Sequence, residues 1–294
     1  MLKHAFFMNP NMLLISNSKH SAHPGKYLAY CEAEVKAHLT GVKTVLFIPY
    51  AEPGDMDKIV GKERQDAGSD DVSIPSPQRR YLEYTKLLQK RFAEMGFYLE
   101  SIEDNLRGPV EAIQKAQAIY VGGGNTFDLL QKLYTTGALA PLRDRIKEGI
   151  PYLGVSAGTV IAGMNMCSTN DNPKPMVSMD ALQILPFCIK PHYQDKVIVS
   201  DEIKAQIKAI DPQVAAMLDH QGESHADRIR EFHHTFPYNV MGLREGSMLQ
   251  VRDEQLTLMG YNTARLFRPE RMMADYTPLE DYSPDTPLDF LLQR

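Results

Sequence analysis

The sequence has few cysteines and none of the cysteine pairs that mark redox motifs. Its 294 residues include three cysteines, Cys31, Cys167 and Cys188, and no two of them form a C-x-x-C pair. A disulfide framework is built from more closely spaced cysteines in a shorter chain. We therefore expect reduced, structural thiols and a cytoplasmic protein.

An excess of positive charge is lacking as well. Lysine and arginine number 32 against 37 aspartates and glutamates, which gives a formal net charge of -5. A general nucleic-acid binder carries a basic face, so we expect no nucleic acid among the partners. An anionic substrate would have to be held by a local cationic pocket, because the field of the whole protein does not attract it.

Long apolar runs and cofactor motifs are also missing. No run approaches the roughly 18 apolar residues of a membrane-spanning helix, and the first apolar patches are broken by the polar stretch 9–11, unlike a signal peptide. We expect no membrane partner. The phosphate-binding patterns G-x-G-x-x-G and G-x-x-x-x-G-K do not occur, nor does a His-x-x-x-His metal pattern. We therefore expect no cofactor and no metal ion.

Short apolar runs do alternate regularly with longer helical patterns. Runs typical of strands fall at 12–16, 44–50, 97–102, 118–124 and 152–155. Patterns typical of helices fall at 26–39, 78–95, 110–115, 126–134 and 140–148. Strands joined by helical crossovers form a parallel sheet that is covered on both faces. The pattern predicts an α/β fold.

We interpret residues 1–294 as one domain with a core over about 12–268. The insertion 51–77 is polar and rich in turn residues, and it follows a strand at the end where open α/β sheets bind ligands. Two interpretations of this insertion are left open: a lid over the site and a solvated surface loop. A second insertion, 194–222, contains a helical pattern. The C-terminal extension, about 269–294, carries aromatic side chains that we expect to pack on the chain or on a partner subunit.

Residues 153–163, LGVSAGTVIAG, place one serine between two glycines after an apolar run. Gly-x-Ser-x-Gly is typical of a nucleophile elbow, a strained strand-to-helix turn whose small neighbours leave the serine hydroxyl exposed. An ordinary helix start with small packing residues is the other interpretation. Ser156 is thus the candidate nucleophile.

A nucleophilic serine needs a base, and the base needs an orienting group. Of nine histidines, His192 in IKPHYQD follows an apolar run and would lie at the carboxyl end of a strand. Asp171 in STND precedes it and is the candidate orienting acid, although a turn or cap role fits it equally well. The segment 121–126, VGGGNT, follows a strand and opens a helix, so its N–H groups can converge on an anion.

The motifs GGGNTF, GVSAG, STND and KPHY stand together in this order. As a set they resemble the peptidase E family, serine α-aspartyl dipeptidases whose wider family includes cyanophycinase. The resemblance implies a flavodoxin-like three-layer sandwich with a mostly parallel sheet, related to class I glutamine amidotransferases. It also implies that Ser156 attacks the peptide carbonyl, that His192 is the general base, and that Asp171 fixes the imidazole tautomer.

The resemblance further implies how the substrate is held. The backbone N–H groups of Gly124 and Ala157 would form the oxyanion hole, and Asn125 would line the cleft. The related enzymes anchor the substrate aspartate with an arginine in a segment reading GETRxxRI.

Here the corresponding segment, GESHADRIRE at 222–231, has His225 in the place of that arginine. A histidine is only partly charged near neutral pH and cannot make the same bidentate contact. We name His225 and Arg228 as candidate substrate-binding residues, and the strictness of the preference for aspartate is left open.

Three functions follow from the sequence. The first is a serine dipeptidase acting on short peptides with an N-terminal aspartate. The second is a cyanophycinase-like hydrolase of β-aspartyl peptides. The third is a non-catalytic binder of amino acids or small anions on the same fold. Small peptides are the expected partners of the enzyme, and a homodimer is left open beside a monomer.

Overall fold

The computed structural model describes residues 9–21, 23, 25–51, 76–169, 174–196, 199–211, 213–214, 223–270 and 280–293. Their strands are β1 (Asn11–Ile15), β2 (Thr44–Ile48), β3 (Tyr98–Ser101), β4 (Ile119–Val121), β5 (Pro151–Val155), β6 (Cys188–Lys190), β7 (Val240–Leu243), β8 (Ser247–Arg252), β9 (Gln255–Gly260), β10 (Ala264–Phe267) and β11 (Glu280–Tyr282).

The larger sheet has seven strands in the order β3-β2-β4-β5-β1-β8-β9. The first five run parallel, and β8 and β9 are antiparallel additions at one edge. The α/β fold with a mostly parallel sheet is therefore confirmed. The strand predicted at 118–124 ends at Val121, because the three glycines that follow leave the sheet as a loop.

The helices lie between these strands. They are α1 (Glu32–His38), α2 (Ser76–Met95), α3 (Pro109–Lys115), α4 (Thr126–Thr135), α5 (Leu139–Lys147), α6 (Ala157–Val160), α7 (Asp201–Ile210) and α8 (His225–His233). The helix predicted at 26–39 is wrong at its start: Leu28 has a left-handed backbone, with φ 56°, and a 3-10 turn (Ala29–Cys31) precedes α1. No helix in the described part of the chain is long and apolar enough to cross a membrane.

Both faces of the larger sheet are buried. In β1, Met12 and Leu14 belong to the apolar cluster on one face, and Leu13 and Ile15 belong to the cluster on the other. All four side chains are fully buried. A near-continuous apolar strand of this kind is typical of a parallel sheet with helices on both sides. The ends of such strands are therefore the places where polar side chains can gather.

The smaller sheet has four strands in the order β11-β10-β7-β6. β6 and β7 run parallel, and the other two pairings are antiparallel. Part of the C-terminal extension thus packs on its own chain, because β11 extends this sheet. Leu288 and Leu291 then add to the main apolar cluster.

The two predicted insertions are described in part. Residues 52–75 of the first lie outside the described residues, so a lid and a solvated insertion both stay open for it. The helical pattern predicted in the second forms α7, whose first turn is capped by the hydroxyl of Ser200. None of the α7 side chains is buried.

Candidate active site

Ser156 lies on the turn between β5 and α6, in the strand–turn–helix setting expected for it. Its backbone has φ 50° and ψ −106°, a conformation that costs a residue with a side chain about 1–3 kcal/mol. The Ser156 N–H donates to the carbonyl of Ile15 at 3.0 Å. The Thr159 hydroxyl donates to the same carbonyl at 2.7 Å. These bonds hold the strained turn against the end of β1.

The glycines around Ser156 are required by close backbone approaches. A Cβ at Gly158 would lie 2.3 Å from the carbonyl oxygen of Val121 in β4, and a Cβ at Gly154 would lie 2.7 Å from the carbonyl of Gly158. The short helix α6 therefore packs directly onto the sheet. This packing explains the two glycines of the Gly-x-Ser-x-Gly pattern, because a side chain at either position would clash with the backbone.

His192 lies within hydrogen-bond distance of the nucleophile. Its Nε2 is 2.8 Å from Ser156 Oγ. His192 follows β6 by two residues and also has a left-handed backbone, with φ 55°. The buried hydroxyl of Ser16 accepts the His192 N–H at 3.0 Å and donates to the carbonyl of Leu243 at 3.0 Å. The backbone of His192 is thus held in place by Ser16, the residue that follows β1.

The other ring nitrogen of His192 is paired with a glutamate that the sequence did not single out. His192 Nδ1 lies 2.6 Å from Glu245 Oε1. β6 and β7 are parallel neighbours with Lys190 opposite Gly242, so the residues just beyond the two strands meet at one edge. Asp171, the predicted orienting acid, lies outside the described residues. A glutamate two residues after the apolar run VMGL was the available signal for Glu245.

The turn that carries Glu245 is held by three contacts. The Gly246 N–H donates to Asn17 Oδ1 at 2.7 Å, and the Asn262 side-chain amide donates to the Glu245 carbonyl at 2.6 Å. A Cβ at Gly260 would lie 2.1 Å from the Gly246 carbonyl oxygen, so the neighbouring strand passes with no room for a side chain. These contacts fix the backbone of the turn and therefore the position from which the Glu245 side chain extends.

Three consecutive residues at the end of β1 organise the site. The Ile15 carbonyl binds Ser156, the Ser16 hydroxyl binds His192, and the Asn17 side chain binds the turn after Glu245. The stretch ISN was missed as functional by sequence reasoning, because it acts only through groups that are distant in the chain.

The glycine loop after β4 lies against the nucleophile. A Cβ at Gly123 would come within 3.0 Å of the Ser156 Cβ, and Gly124 has φ 140°, which favours glycine. Ala157, the first residue of α6, follows Ser156 directly. The N–H groups of Gly124 and Ala157 therefore belong to segments that adjoin the serine hydroxyl, and their role as an oxyanion hole stays a prediction.

Asn125 has a structural task. Its Oδ1 caps α4 by accepting the N–H of Phe127 at 2.9 Å and that of Asp128 at 3.2 Å. Its own N–H donates to the carbonyl of Ala51 at 2.7 Å. The side chain that was expected to line the cleft thus fixes the start of the helix behind it.

A cavity of about 140 Å³ opens beside the serine. Ser156 and His192 line this cavity. The other described residues in its wall are Thr126, Val160, Thr169, Lys190, Pro191 and His225. This volume is below the roughly 300–1,000 Å³ of pockets for drug-sized ligands. The cavity therefore suits one small side chain.

His225, a predicted substrate-binding residue, does line this cavity. Its Nδ1 accepts the N–H of Gln194 at 3.1 Å. Burial, together with the charges of Lys190, Arg228 and His192, lowers the pKa of His225 to about 4. The imidazole is therefore neutral at pH 7 and does not supply a cation.

Arg228 is the other predicted substrate-binding residue, and its role stays a prediction. Its guanidinium is half exposed and lies 3.6 Å from the carboxylate of Glu223. It is not among the described residues that line the cavity. In the ranges that the structure describes, no group of three or more His, Cys, Asp or Glu side chains could hold a metal ion.

Comparisons with known proteins identify the family of the chain. The model of Peptidase family S51 matches residues 72–259. The chain is 33% identical to "Probable alpha-aspartyl dipeptidase" of Drosophila melanogaster over 290 residues, which cover 97% of this chain and 98% of the relative. It is 31% identical to "Peptidase E" of a Nostoc species, with 98% of each chain covered.

Solved structures share the fold. A putative peptidase E protein from Listeria monocytogenes superposes with a TM-score of 0.52 at 21% identity, covering 86% of this chain and 100% of that chain. A peptidase from an acI-B1 actinobacterium superposes with a TM-score of 0.56 at 16% identity, covering 98% and 99%. At these identities the likeness concerns the fold.

Proposed function

The chain belongs to peptidase family S51 and is a serine-type dipeptidase of that family, and we propose that it hydrolyses short peptides with an N-terminal aspartate. The relatives named above include one called an alpha-aspartyl dipeptidase, which supports this substrate class. The small cavity beside Ser156 supports short peptides with one small side chain bound there. We place the activity in the cytoplasm, in keeping with the reduced cysteines.

One observation carries the proposal: the hydrogen-bonded series of Ser156, His192 and Glu245. The distances are 2.8 Å from Ser156 Oγ to His192 Nε2 and 2.6 Å from His192 Nδ1 to Glu245 Oε1. A carboxylate on Nδ1 fixes the tautomer that leaves Nε2 free to accept the serine proton. We assign the orienting role to Glu245, because it occupies the ring nitrogen that Asp171 would have to bind.

The reaction then follows acyl transfer. Ser156 Oγ attacks the carbonyl carbon of the scissile bond while His192 Nε2 takes its proton, and Glu245 stabilises the resulting imidazolium. The N–H groups of Gly124 and Ala157 bind the oxyanion, each donor contributing about 2.7–4 kcal/mol to the transition state. The C–N bond breaks as His192 gives the proton to the leaving amine. Water then attacks the acyl-enzyme while His192 takes its proton, and His192 returns that proton to Ser156 Oγ as the ester bond breaks.

The test is hydrolysis of a dipeptide panel. Asp-Leu, Glu-Leu, Asn-Leu, Ala-Leu and β-Asp-Arg are compared, with Ser156→Ala as the blank and the exposed Ser200→Ala as the matched control. We expect Asp-Leu to be the best substrate and Ser156→Ala to lose about 10⁴-fold or more in kcat, since the residual rate rests on binding alone.

Other outcomes separate the alternatives. Preferred cleavage of β-Asp-Arg would assign the cyanophycinase-like activity. Binding of amino acids without any Ser156-dependent turnover would assign a non-catalytic binder. Full turnover by a folded Ser156→Ala variant would exclude the mechanism.

A further inference from the structure

A lysine lies in the wall of the cavity beside the nucleophile. Lys190 is the last residue of β6, two positions before His192, and it lines the same cavity as Ser156. Its side chain is among the few buried charged groups, with 3% of its surface exposed. Lysines are almost never this buried, so a positive charge at this place is a specific feature of the cavity wall.

The other described residues of the cavity wall carry no negative charge. Of the described residues that line it, none bears a carboxylate, and the other members are hydroxyl, apolar or imidazole groups. His225 is neutral at pH 7, because burial and neighbouring charges lower its pKa to about 4. Lys190 is one of those charges, so its positive field reaches the ring of His225 within the cavity.

A cation is what an acidic substrate needs here. The net charge of the chain is -5, so a carboxylate is not attracted by the protein as a whole. The arginine expected in 222–231 is replaced by His225, and Arg228 is half exposed and paired near Glu223. Among the described residues that line the cavity, Lys190 is the one that carries an amino group.

We propose that Lys190 is the specificity-determining residue of this enzyme, and that its ammonium binds the side-chain carboxylate of the substrate's N-terminal residue. The inference rests on the proposed function and names the group that selects its substrate. A lysine ammonium is a compact charge without the planar fork of an arginine. It distinguishes a carboxylate from an amide, and it discriminates less between aspartate and glutamate than a bidentate guanidinium does.

The test compares substrates that differ in charge and hardly in shape. The ratio of kcat/KM for Asp-Leu to that for Asn-Leu is measured in the wild type and in Lys190→Met, Lys190→Arg and Lys196→Met. A hydrogen bond to a charged group contributes enough for a ratio of about 10- to 100-fold in the wild type. We expect Lys190→Met to reduce the ratio to near one, Lys190→Arg to retain most of it, and the exposed Lys196→Met to keep it.

A second pair of substrates identifies which carboxylate is bound. The ratio of Asp-Leu to its C-terminal amide is measured in the same variants. If Lys190→Met lowers this ratio and keeps the Asp-to-Asn ratio, Lys190 holds the C-terminal carboxylate and the side-chain proposal is overturned. An Asp-to-Asn ratio that persists in Lys190→Met also overturns it.

The wild type alone keeps the proposal testable if Lys190→Met fails to fold. Equal cleavage of Asp-Leu and Asn-Leu by the wild type would refute carboxylate selection while the peptidase activity stands. Absence of Ser156-dependent cleavage of every peptide would instead refute the proposed function.

Discussion

The two sheets contribute different halves of the site and hold them by different forces. The larger sheet presents Ser156 by backbone packing, with glycines where β4, β5 and α6 touch. The smaller sheet presents His192 and Glu245 at the ends of β6 and β7, in a region rich in charged side chains. The position of the nucleophile thus depends on close backbone packing. The positions of the acid–base pair depend on interactions between charged side chains.

The charged surroundings of the second half are extensive. Arg244, which precedes Glu245, donates to Asp195 at 2.7 Å and to Asp281 at 3.1 Å. Arg265 binds the same two aspartates, and both guanidiniums lie over the ring of Tyr193, at 5.4 Å and 5.9 Å. These pairs tie the turn of Glu245 to β10 and β11. A change of charge should therefore harm this half more than a change of size.

In the half that carries the acid–base pair, the largest expected effect comes from removing the carboxylate of Glu245. Glu245→Gln should lower kcat by about 10³- to 10⁴-fold, because an amide on Nδ1 no longer enforces the required tautomer of His192. The fold should persist, since the substitution hardly changes the volume. Steady-state kinetics with Asp-Leu measure the loss, and circular dichroism checks the fold.

Asp171→Asn is the matched comparison, because it removes the other candidate acid in the same way. We expect it to retain most of the wild-type kcat. A severe loss in Asp171→Asn combined with a mild one in Glu245→Gln would transfer the orienting role to Asp171.

The next prediction concerns steric packing in the half of the site that carries Ser156. Gly158→Ala should lower the free energy of unfolding by about 3 kcal/mol or more, because its Cβ would lie 2.3 Å from the Val121 carbonyl oxygen. Gly41→Ala is the control: nothing lies within 4 Å, and only its positive φ of 82° opposes a side chain, at a cost of about 1 kcal/mol. Urea unfolding compares the two, and equal losses would contradict the steric account.

The smallest effect is a pH dependence in the first half. His38 is 2% exposed, and its Nε2 lies 3.1 Å from the carbonyl oxygen of Tyr152 in β5. Burial lowers the pKa of His38 to about 4, and the charge of Arg252 contributes. Between pH 6.5 and 4 the unfolded chain binds a proton that the folded chain does not. The contribution of His38 to the free energy of unfolding is therefore complete above pH 6.5. It decreases as the pH falls, by at most about 1.4 kcal/mol per pH unit.

His38→Gln tests this dependence, because glutamine can keep the donor to Tyr152 without titrating. Urea unfolding at pH 7.0 and 5.0 should show a smaller pH difference in His38→Gln than in the wild type. The exposed His23→Gln should keep the wild-type difference. An identical slope in all three proteins would mean that other groups cause it.

Much of the first half could be predicted from the chain. The strand that precedes Ser156, the turn itself and its small neighbours lie within one contiguous segment, so the local pattern was enough. The family resemblance rested on the same short motifs and is confirmed by the relatives at 31% and 33% identity. His192 could be named because it follows a recognisable apolar run.

The second half was harder for a physical reason. Glu245 and Ser16 lie 53 and 176 residues from His192 in the chain, and no local pattern links them. Lys190 reads as an ordinary residue before a proline, because its burial depends on how β6 packs. The role of Asn125 as a helix cap was likewise open until the contacts of α4 were known.

The sequence by itself determined the α/β class, the parallel strands and the strained serine turn, since each depends on the spacing of neighbouring residues. Only the tertiary structure decided which acid binds His192, which residues at the end of β1 hold the site, and which cation lines the cavity. Those choices depend on strand order: β6 and β7 lie side by side and parallel, so their ends share one edge. Side chains that are remote in the chain become partners there.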